Sequence, residues 1–332
     1  MSASKERLAA AIAGERVDRP PVSLWRHNFL REWSAADLAD ETLTLYDRFD
    51  WDLIKLNCRW SYLPEAWGNL YQPPKEQRFQ RVVHAVIQEA TDLDKVEPAD
   101  AQHPALLEQL EAIETVTRAV GDEVDLIHTV FSPLAVAGLL TGGQQQPLLS
   151  WAEENPEGLD RALTAIRETV LAHSLDALER GASGIFFAPL PWTSLDLCSA
   201  EAYARFGRPH DLWVLERLKA AKADSICALH VCGNNIGADR FDDYPVDILS
   251  WDDRGPGNPT MAEYARANGK CVMGGVPHRR IHKIDVAEME REMRSAVADL
   301  EAGYVFAGGC ATGAVVADDR MRAPRDIVER WS

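Results

Sequence analysis

The feature that most constrains the fold is a series of short apolar runs separated by longer stretches of helical periodicity. Most of these runs are continuous rather than alternating, as expected for strands whose two faces are both covered. We therefore predict eight strands, at residues 22–25, 52–56, 125–130, 184–188, 225–231, 247–250, 270–274 and 304–307. Predicted helices fall at 3–13 and between the strands, for example at 156–180, 200–221, 261–268 and 286–302.

The number of strands favours one architecture. Eight strands alternating with helices in 332 residues are typical of a closed parallel barrel. The rival is an open doubly wound sheet, which a glycine-rich phosphate turn after the first strand would favour, but here His27-Asn28-Phe29 follows instead. We predict a single-domain α/β fold over residues 1–332, a (β/α)8 TIM barrel with a small hairpin inserted after strand 2, within residues 63–91.

The charge of the chain limits its partners. A net charge of −17 gives an acidic surface that repels phosphate backbones and anionic lipids, so we expect neither nucleic acid nor membrane as a partner. No apolar stretch reaches the roughly 20 residues that a bilayer requires. Lys5, Glu6 and Arg7 stand among alanines at the start, which does not resemble a signal peptide. We expect a soluble, cytoplasmic protein that acts on a small molecule.

Reactive side chains concentrate at the predicted carboxyl ends of strands, where barrel enzymes carry their active sites. His230 and Cys232 end the fifth strand, and Cys310 follows the eighth. Residues two apart in a strand point the same way, so the imidazole and the two thiols can share one ion. We predict a metal site at His230, Cys232 and Cys310, and the alternative is a buried histidine and two core cysteines without an ion.

The donor types indicate the metal. Two thiolates and an imidazole suit zinc, and three protein ligands with an open fourth position are typical of a catalytic zinc site. A carboxylate could complete the shell, and Asp252 is the predicted fourth ligand, with Asp253 as its competitor.

Other residues carry weaker signals. His278, with Arg279 and Arg280, follows the seventh strand and either binds an anionic substrate or belongs to a solvated loop. Of the remaining cysteines, Cys227 is a predicted core residue, and Cys271 is predicted at the start of the seventh strand, the end of the barrel away from the chemistry. Cys58 and Cys198 are predicted to lie in loops at the mouth of the barrel, where a thiol could react, but no neighbour in the sequence activates them.

Several segments resemble uroporphyrinogen decarboxylase-family proteins in the same order along the chain. They are ERLAAAIAGERVDRPPVSLWR, FDWDLIKLNCRWSYLPEAWG, HTVFSPLAVAGLL, LHVCGN and YVFAGGC. The resemblance extends over nearly the whole chain and implies a TIM barrel. The superfamily includes dimers, so a homodimer is one expectation.

The decarboxylase branch of this superfamily uses no metal, and the chain departs from its pattern. Decarboxylases bind carboxylates with two arginines after strand one, of which only Arg26 is kept. They bind pyrrole nitrogens with an aspartate whose position is occupied here by Arg59, and a cation cannot accept hydrogen bonds from N–H groups. The histidine of their late Gly-His pair is replaced by Cys310.

The zinc methyltransferase branch, which includes methylcobamide:coenzyme M methyltransferases, fits better. Its His-x-Cys motif with a distant cysteine matches His230, Cys232 and Cys310. The resemblance implies zinc as cofactor, a thiol substrate, and a corrinoid methyl donor that arrives free or on a corrinoid protein. Candidate catalytic residues are Arg26, Arg59 and His278, and candidate substrate contacts are Asn57, Asn234 and Asn235.

Three hypotheses follow. The first is a zinc-dependent methyltransferase that moves a methyl group between a corrinoid, or another donor, and a thiol. The second is a metal-independent decarboxylase of a uroporphyrinogen-like or other anionic substrate, bound by Arg26 and Arg59. The third is a non-enzymatic binder that acts as the partner of a corrinoid protein.

Overall fold

Each predicted apolar run forms a parallel strand at its expected place. The computed structural model describes residues 2–143 and 145–331, so residues 1, 144 and 332 of the predicted domain lie outside the described part. In chain order, the strands are β1 (Val22–Ser23), β2 (Leu53–Leu56), β3 (Leu70–Gln72), β4 (Arg81–His84), β5 (Asp125–Phe131), β6 (Gly184–Ala188), β7 (Ile226–Val231), β8 (Ile248–Trp251), β9 (Cys271–Val276) and β10 (Tyr304–Gly308).

Eight of these strands form the barrel. The hydrogen-bonded order is β1-β10-β9-β8-β7-β6-β5-β2, and every pairing is parallel. β1 and β2 meet through two further bonds. The N–H of Asp52 donates to the Val22 carbonyl at 2.8 Å, and the Ser23 hydroxyl donates to the Leu53 carbonyl at 2.8 Å. The predicted (β/α)8 barrel is confirmed.

A buried ion-pair network supports the amino end of the barrel. The fully buried carboxylate of Asp52 accepts hydrogen bonds from Arg7 at 2.6 Å and from Arg19 at 2.6 Å. It also accepts the backbone N–H of Val22 at 3.0 Å. Because the charge is paired and hydrogen-bonded, its burial is tolerated, and it holds helix α1 (Ala3–Ile12) against the barrel.

Helices cover the outside of the barrel. After α1 they are α2 (Ala35–Phe49), α3 (Tyr62–Glu65), α4 (Pro104–Val120), α5 (Pro133–Leu140), α6 (Gln145–Glu154), α7 (Pro156–Glu179), α8 (Ala200–Ala202), α9 (Arg208–Ala221), α10 (Met261–Asn268), α11 (Val286–Ala296) and α12 (Asp318–Glu329). Within the described part of the chain, no helix is both long enough and apolar enough to span a bilayer.

Two helices differ from the prediction. A π-helical turn, Tyr203–Gly207, separates α8 from α9, where one helix was predicted over 200–221. Its wide turn requires a glycine, since a Cβ atom on Gly207 would lie 2.7 Å from the Tyr203 ring. α11 ends at Ala296 instead of continuing to residue 302, and Asp299 then takes a left-handed φ of 68°.

A small second sheet follows β2 and α3. β3 and β4 pair antiparallel, with Tyr71 opposite Val82. The connection between them carries Phe79, which is largely exposed and reaches the mouth of the barrel. This sheet therefore brings an aromatic side chain to the end of the barrel where the strands finish.

Candidate metal centre

Three metal-binding side chains meet at the carboxyl end of the barrel. His230 lies near the end of β7, Cys232 follows that strand, and Cys310 follows β10. One donor atom from each residue, a ring nitrogen or a thiol sulfur, lies within 4.8 Å of the other two. His230 is buried and both cysteines are half-buried, so the cluster faces the interior while retaining some access to solvent.

The alternation of side chains along β7 explains why His230 and Cys232 share one side. Ala228 packs inside the barrel, whereas Cys227 packs against the outer helices. His230 continues the inward series, and its ring stacks on Phe186 with ring centroids 5.0 Å apart. The period of two then directs Cys232 toward the same interior.

Two glycines allow Cys310 to approach from the other side. A Cβ atom on Gly308 would lie 2.6 Å from the carbonyl oxygen of Cys310, and one on Gly309 would collide with the backbone of Asp252. The chain after β10 therefore passes very close to the end of β8. Only residues without a Cβ atom fit at these two positions, and they place Cys310 next to the β7 residues.

The two thiols interact directly. A hydrogen bond from Cys232 holds the pKa of Cys310 well below its usual range, and a hydrogen bond to His230 acts in the same direction. The same thiol–thiol bond, together with burial, raises the pKa of Cys232. Of the two sulfurs, Cys310 is thus the one that ionises first.

This donor set fits a zinc ion. Nδ1 of His230 lies 3.4 Å from the Ser250 hydroxyl, which leaves Nε2 as the ring nitrogen for a metal. Zinc–sulfur bonds of about 2.3 Å in a tetrahedral site put two sulfurs about 3.8 Å apart. Donor atoms within 4.8 Å of one another need only small side-chain movements to reach that arrangement.

The two aspartates after β8 have different surroundings. Asp252 lies 2.7 Å from Nε of Arg279, and its charge acts on the neighbouring Cys232. Asp253 is held by Arg254, whose Nη1 lies 2.9 Å from both carboxylate oxygens. Burial raises the pKa of Asp253. Asp252 is consequently the aspartate with the closer electrostatic connection to the cluster.

The segment after β9 contributes a second histidine near the cluster. His278 is buried, and burial lowers the pKa of its imidazole, while Asp252 and Cys310 act in the opposite direction. Arg279 pairs with Asp252, as described above. Arg280 is exposed and pairs instead with glutamates of α11. His278 and Arg279 therefore lie toward the cluster, whereas Arg280 points away from it.

A cavity of about 450 Å³ opens beside the metal-binding side chains, which form part of its wall. Six aromatic rings contribute to its remaining wall, and they come from Trp25, Phe29, Trp60, Phe79, Phe131 and Phe186. A larger hollow of about 770 Å³ lies at the opposite end of the barrel, against Lys5 and Asp247. Because that hollow is remote from all three donors, the smaller, aromatic cavity is the candidate substrate site.

Of the three asparagines predicted to contact substrate, one lines the candidate substrate cavity and two do not. Asn57 lines the aromatic cavity. Asn234 and Asn235 lie in the loop after β7, outside the residues that line it. The Oδ1 atom of Asn234 accepts a long hydrogen bond from Arg279 at 3.4 Å, and Nδ2 of Asn235 donates to Asp196 at 3.3 Å.

The two predicted catalytic arginines also lie outside the lining of this cavity. Arg26 donates to the carbonyl of Val316 at 2.9 Å. Arg59 is buried between the carboxylates of Glu65, at 2.9 Å, and Glu108. Because its guanidinium is already paired with two carboxylates, the surroundings of Arg59 are those of a structural ion pair rather than of a residue that contacts substrate.

The other four cysteines are buried and are not among the clustered donors, although Cys58 lies in the wall of the same cavity. Burial raises the pKa of Cys58 and Cys271 to about 12 and that of Cys198 and Cys227 to about 11. Thiols of this kind are poor nucleophiles near neutral pH.

Comparison with known proteins identifies the family. A family model described as uroporphyrinogen decarboxylase (URO-D) matches residues 3–331. The chain belongs to the uroporphyrinogen decarboxylase family. The family prediction made from the motifs is confirmed.

Relatives of this URO-D family member include enzymes of two kinds. Methylcobamide:CoM methyltransferase MtbA of Methanosarcina acetivorans is 24% identical over 264 residues, which cover 75% of this chain and 76% of the relative. A uroporphyrinogen decarboxylase of Jannaschia sp. is 27% identical over 202 residues, covering 54% of this chain and 58% of the relative. A solved structure of a methyltransferase from Methanosarcina mazei matches with a TM-score of 0.80 at 20% identity, covering 100% and 99% of the two chains.

One polar residue of the candidate site in this URO-D family member was not identified from the sequence. Lys55 of β2 lies in the wall of the aromatic cavity and is buried. It stands in a run that was interpreted only as a strand. The period of two was the available signal, because Leu53 packs inside the barrel and Lys55 and Asn57 follow it on the same side.

Proposed function

We propose that the chain is a zinc-dependent methyltransferase that transfers a methyl group from a corrinoid, or another methyl donor, to a thiol. The observation that carries the proposal is the cluster of His230, Cys232 and Cys310 donor atoms, within 4.8 Å of one another, in the wall of an aromatic cavity. The methyltransferase named among the relatives supports it independently.

The proposed residue roles follow from the geometry. His230, Cys232 and Cys310 would hold the ion, and Ser250 would orient the imidazole through Nδ1. A bound zinc ion would lower the pKa of a coordinated substrate thiol and thus supply a thiolate nucleophile near neutral pH. Two cysteine ligands donate electron density and keep such a sulfur reactive.

The cavity suits the transfer of an apolar group. Its aromatic walls exclude water from the sulfur and from the methyl group. In the reaction, the substrate sulfur forms a bond to the methyl carbon, the bond between carbon and donor breaks, and the donor keeps that electron pair. The thiol proton is released to solvent. For a corrinoid donor, the name of the relative points to methylcobamide.

The proposal is tested by metal analysis of protein purified without added zinc, followed by a transfer assay. We expect about one zinc per chain, lost in Cys310→Ser and retained in Cys271→Ser, whose cysteine is buried away from the cluster. With methylcobalamin and a thiol, we expect methylcobalamin absorbance to decay only with zinc-loaded protein. Protein without zinc, or equal zinc content in the two variants, would overturn the proposal.

Metal-independent decarboxylation is the second candidate, because a uroporphyrinogen decarboxylase is among the relatives. It ranks lower because Arg59, at the position of the pyrrole-binding aspartate, is a buried cation engaged by two glutamates. Release of carbon dioxide from uroporphyrinogen by metal-free protein, abolished by Arg26→Ala, would favour this candidate over methyl transfer.

A further inference from the structure

A histidine and a buried carboxylate form a pair in the wall of the candidate substrate cavity. We propose that His27, oriented by Glu32, is the base that takes the proton of the substrate thiol and carries it out of the cavity. The thiol in this inference rests on the proposed function, whereas the pair and its place in the cavity wall are features of the chain itself.

The ring of His27 is fixed at one of its two nitrogens. Nδ1 lies 2.8 Å from Oε1 of Glu32, whose side chain is buried. The same oxygen accepts the backbone N–H of Asn28 at 2.9 Å, so the carboxylate is an acceptor and Nδ1 of His27 is its donor. The imidazole then carries its free lone pair on Nε2, the nitrogen at which this form of histidine accepts a proton.

Contacts on several sides hold the pair in place. The His27 ring stacks on Phe29 with centroids 4.8 Å apart and planes 8° apart, and the ring of Phe79 meets it edge-on at 5.6 Å. Nη1 of Arg59 donates to the backbone carbonyl of Glu32 at 2.9 Å. A base that is positioned in this way needs little reorganisation when the proton moves.

The Nε2 atom of His27 is left for a ligand. Within the described part of the chain, no protein group forms a hydrogen bond with it. The side chain lies in the cavity wall and retains an exposed fraction of 16%. It therefore borders both the space for the substrate and the surrounding water, as a group that moves a proton between them must.

The other titratable side chains of the cavity wall are unsuited to this task. Three of them are the proposed metal ligands His230, Cys232 and Cys310. Burial lowers the pKa of Lys55 only to about 8, so this side chain is already mainly protonated at pH 7. Burial raises the pKa of Cys58 to about 12, so its thiol keeps its own proton. Among the residues that line the cavity, His27 is the base that remains.

The proposed step moves one proton. The S–H bond of the substrate thiol breaks and its electron pair stays on sulfur. The proton forms an N–H bond at Nε2 of His27, directly or through one water molecule. The adjacent carboxylate of Glu32 stabilises the imidazolium that results. The imidazolium then gives the proton to solvent, which restores the neutral ring.

The test compares a thiol that needs a base with one that does not. At pH 7, 2-mercaptoethanol is largely protonated, whereas pentafluorothiophenol is already a thiolate. With methylcobalamin as the donor, the decay of its absorbance gives the rate of methyl transfer to each thiol by the zinc-loaded protein.

Four variants separate the roles of the two residues. His27→Gln keeps an N–H donor for Glu32 but cannot accept a proton, and His27→Phe keeps the stacked ring but has neither nitrogen. Glu32→Gln removes the charge beside the ring. His282→Gln, at an exposed position, is the matched control. If one His27 variant does not fold, the other carries the comparison.

With 2-mercaptoethanol, we expect both His27 variants to react about 100-fold more slowly than the unaltered protein, the lower end of what a positioned base contributes. With pentafluorothiophenol, the same variants should match the unaltered protein, because no proton has to be removed. Glu32→Gln should show a smaller loss that is also confined to 2-mercaptoethanol, as expected of a positioning residue. His282→Gln should match the unaltered protein with both thiols.

Two results would overturn the inference alone. One is a His27 variant that methylates 2-mercaptoethanol as fast as the unaltered protein does. The other is an equal loss of rate with both thiols, which would indicate a structural role for the ring. Failure of the proposed function is distinguishable, since the unaltered protein would then bind no zinc or would methylate neither thiol, and both proposals would fall.

Discussion

Gly309 lies so close to Asp252 that a Cβ atom at position 309 would collide with the Cα atom of that aspartate. This contact joins the loop after β10 to the end of β8. It thereby sets the position of Cys310, which lies one residue further along the chain. The approach of two backbones, rather than a side-chain interaction, brings the second cysteine to the metal-binding cluster.

Gly309→Ala should therefore reduce zinc retention without removing any ligand. The added methyl group would push the loop, and Cys310 with it, away from His230 and Cys232. Zinc content after purification, measured by mass spectrometry, checks this expectation. Gly313→Ala is the matched control, because a Cβ atom there meets Val316 at an ordinary 3.6 Å. Equal zinc content in the two variants would contradict the steric argument.

Ser250→Ala should weaken zinc binding by about 10-fold, since a partner on the second ring nitrogen orients a metal-binding histidine. The hydroxyl of Ser250 lies 3.4 Å from Nδ1 of His230 and is buried. Competition with a zinc chelator measures the affinity. Ser174→Ala removes a buried hydroxyl that donates to a helix carbonyl at 2.7 Å, and it should leave the zinc affinity unchanged. The same affinity in both variants would show that Ser250 does not orient the ring.

Arg59→Met should lower the free energy of unfolding by about 3–5 kcal/mol, because it leaves charges in a buried network without their partner. The guanidinium pairs with Glu65 and Glu108 and lies 4.8 Å from the ring centroid of Trp33. Urea unfolding measures the loss. The exposed pair of Arg48 and Asp318 provides the control, and Arg48→Met should cost less than about 1 kcal/mol. A loss for Arg59→Met as small as that of the control would argue against a stabilising network.

The barrel itself was predictable because strands covered on both faces appear in the sequence as apolar runs. The run at 184–188 coincides with β6, and the run at 304–307 with β10 except for Gly308. The metal-binding cluster could also be predicted from the sequence, because the carboxyl ends of parallel strands meet at one rim and His230 and Cys232 are two residues apart.

Other features depend on contacts between distant segments. Arg59 contacts Glu108 only because α4 packs near the end of β2, and no pattern in the sequence around either residue predicts this ion pair. The π-helical turn at Tyr203–Gly207 preserves a helical pattern and therefore looks like uninterrupted helix. The position of Lys55 in the cavity wall could not be predicted for another reason. A single charged residue in an apolar run can point either into the barrel or toward the helices, and the sequence does not say which face of the strand is which.

The π-helical turn also leads to a prediction about pH. It directs the Tyr203 hydroxyl to Oδ2 of Asp211 at 2.5 Å, and Tyr244 donates to the same oxygen at 3.3 Å. Burial raises the pKa of Asp211 to about 7, above the ordinary value of 3.8. The folded protein therefore binds this proton more tightly than the unfolded chain does. The resulting stability is complete below pH 3.8 and is lost as the pH rises through about 7.

Asp211→Asn removes that titration and keeps an oxygen for the tyrosine hydroxyls. The melting temperature of the variant relative to the unaltered protein should increase as the pH rises from about 4 to about 7, and should level off above that range. Thermal unfolding in a series of buffers measures the difference. Asp224→Asn, at an exposed loop position, should give a difference with little slope over the same range. A flat difference for Asp211→Asn would mean that the Asp211 carboxyl titrates alike in the folded and unfolded chains, whatever its burial.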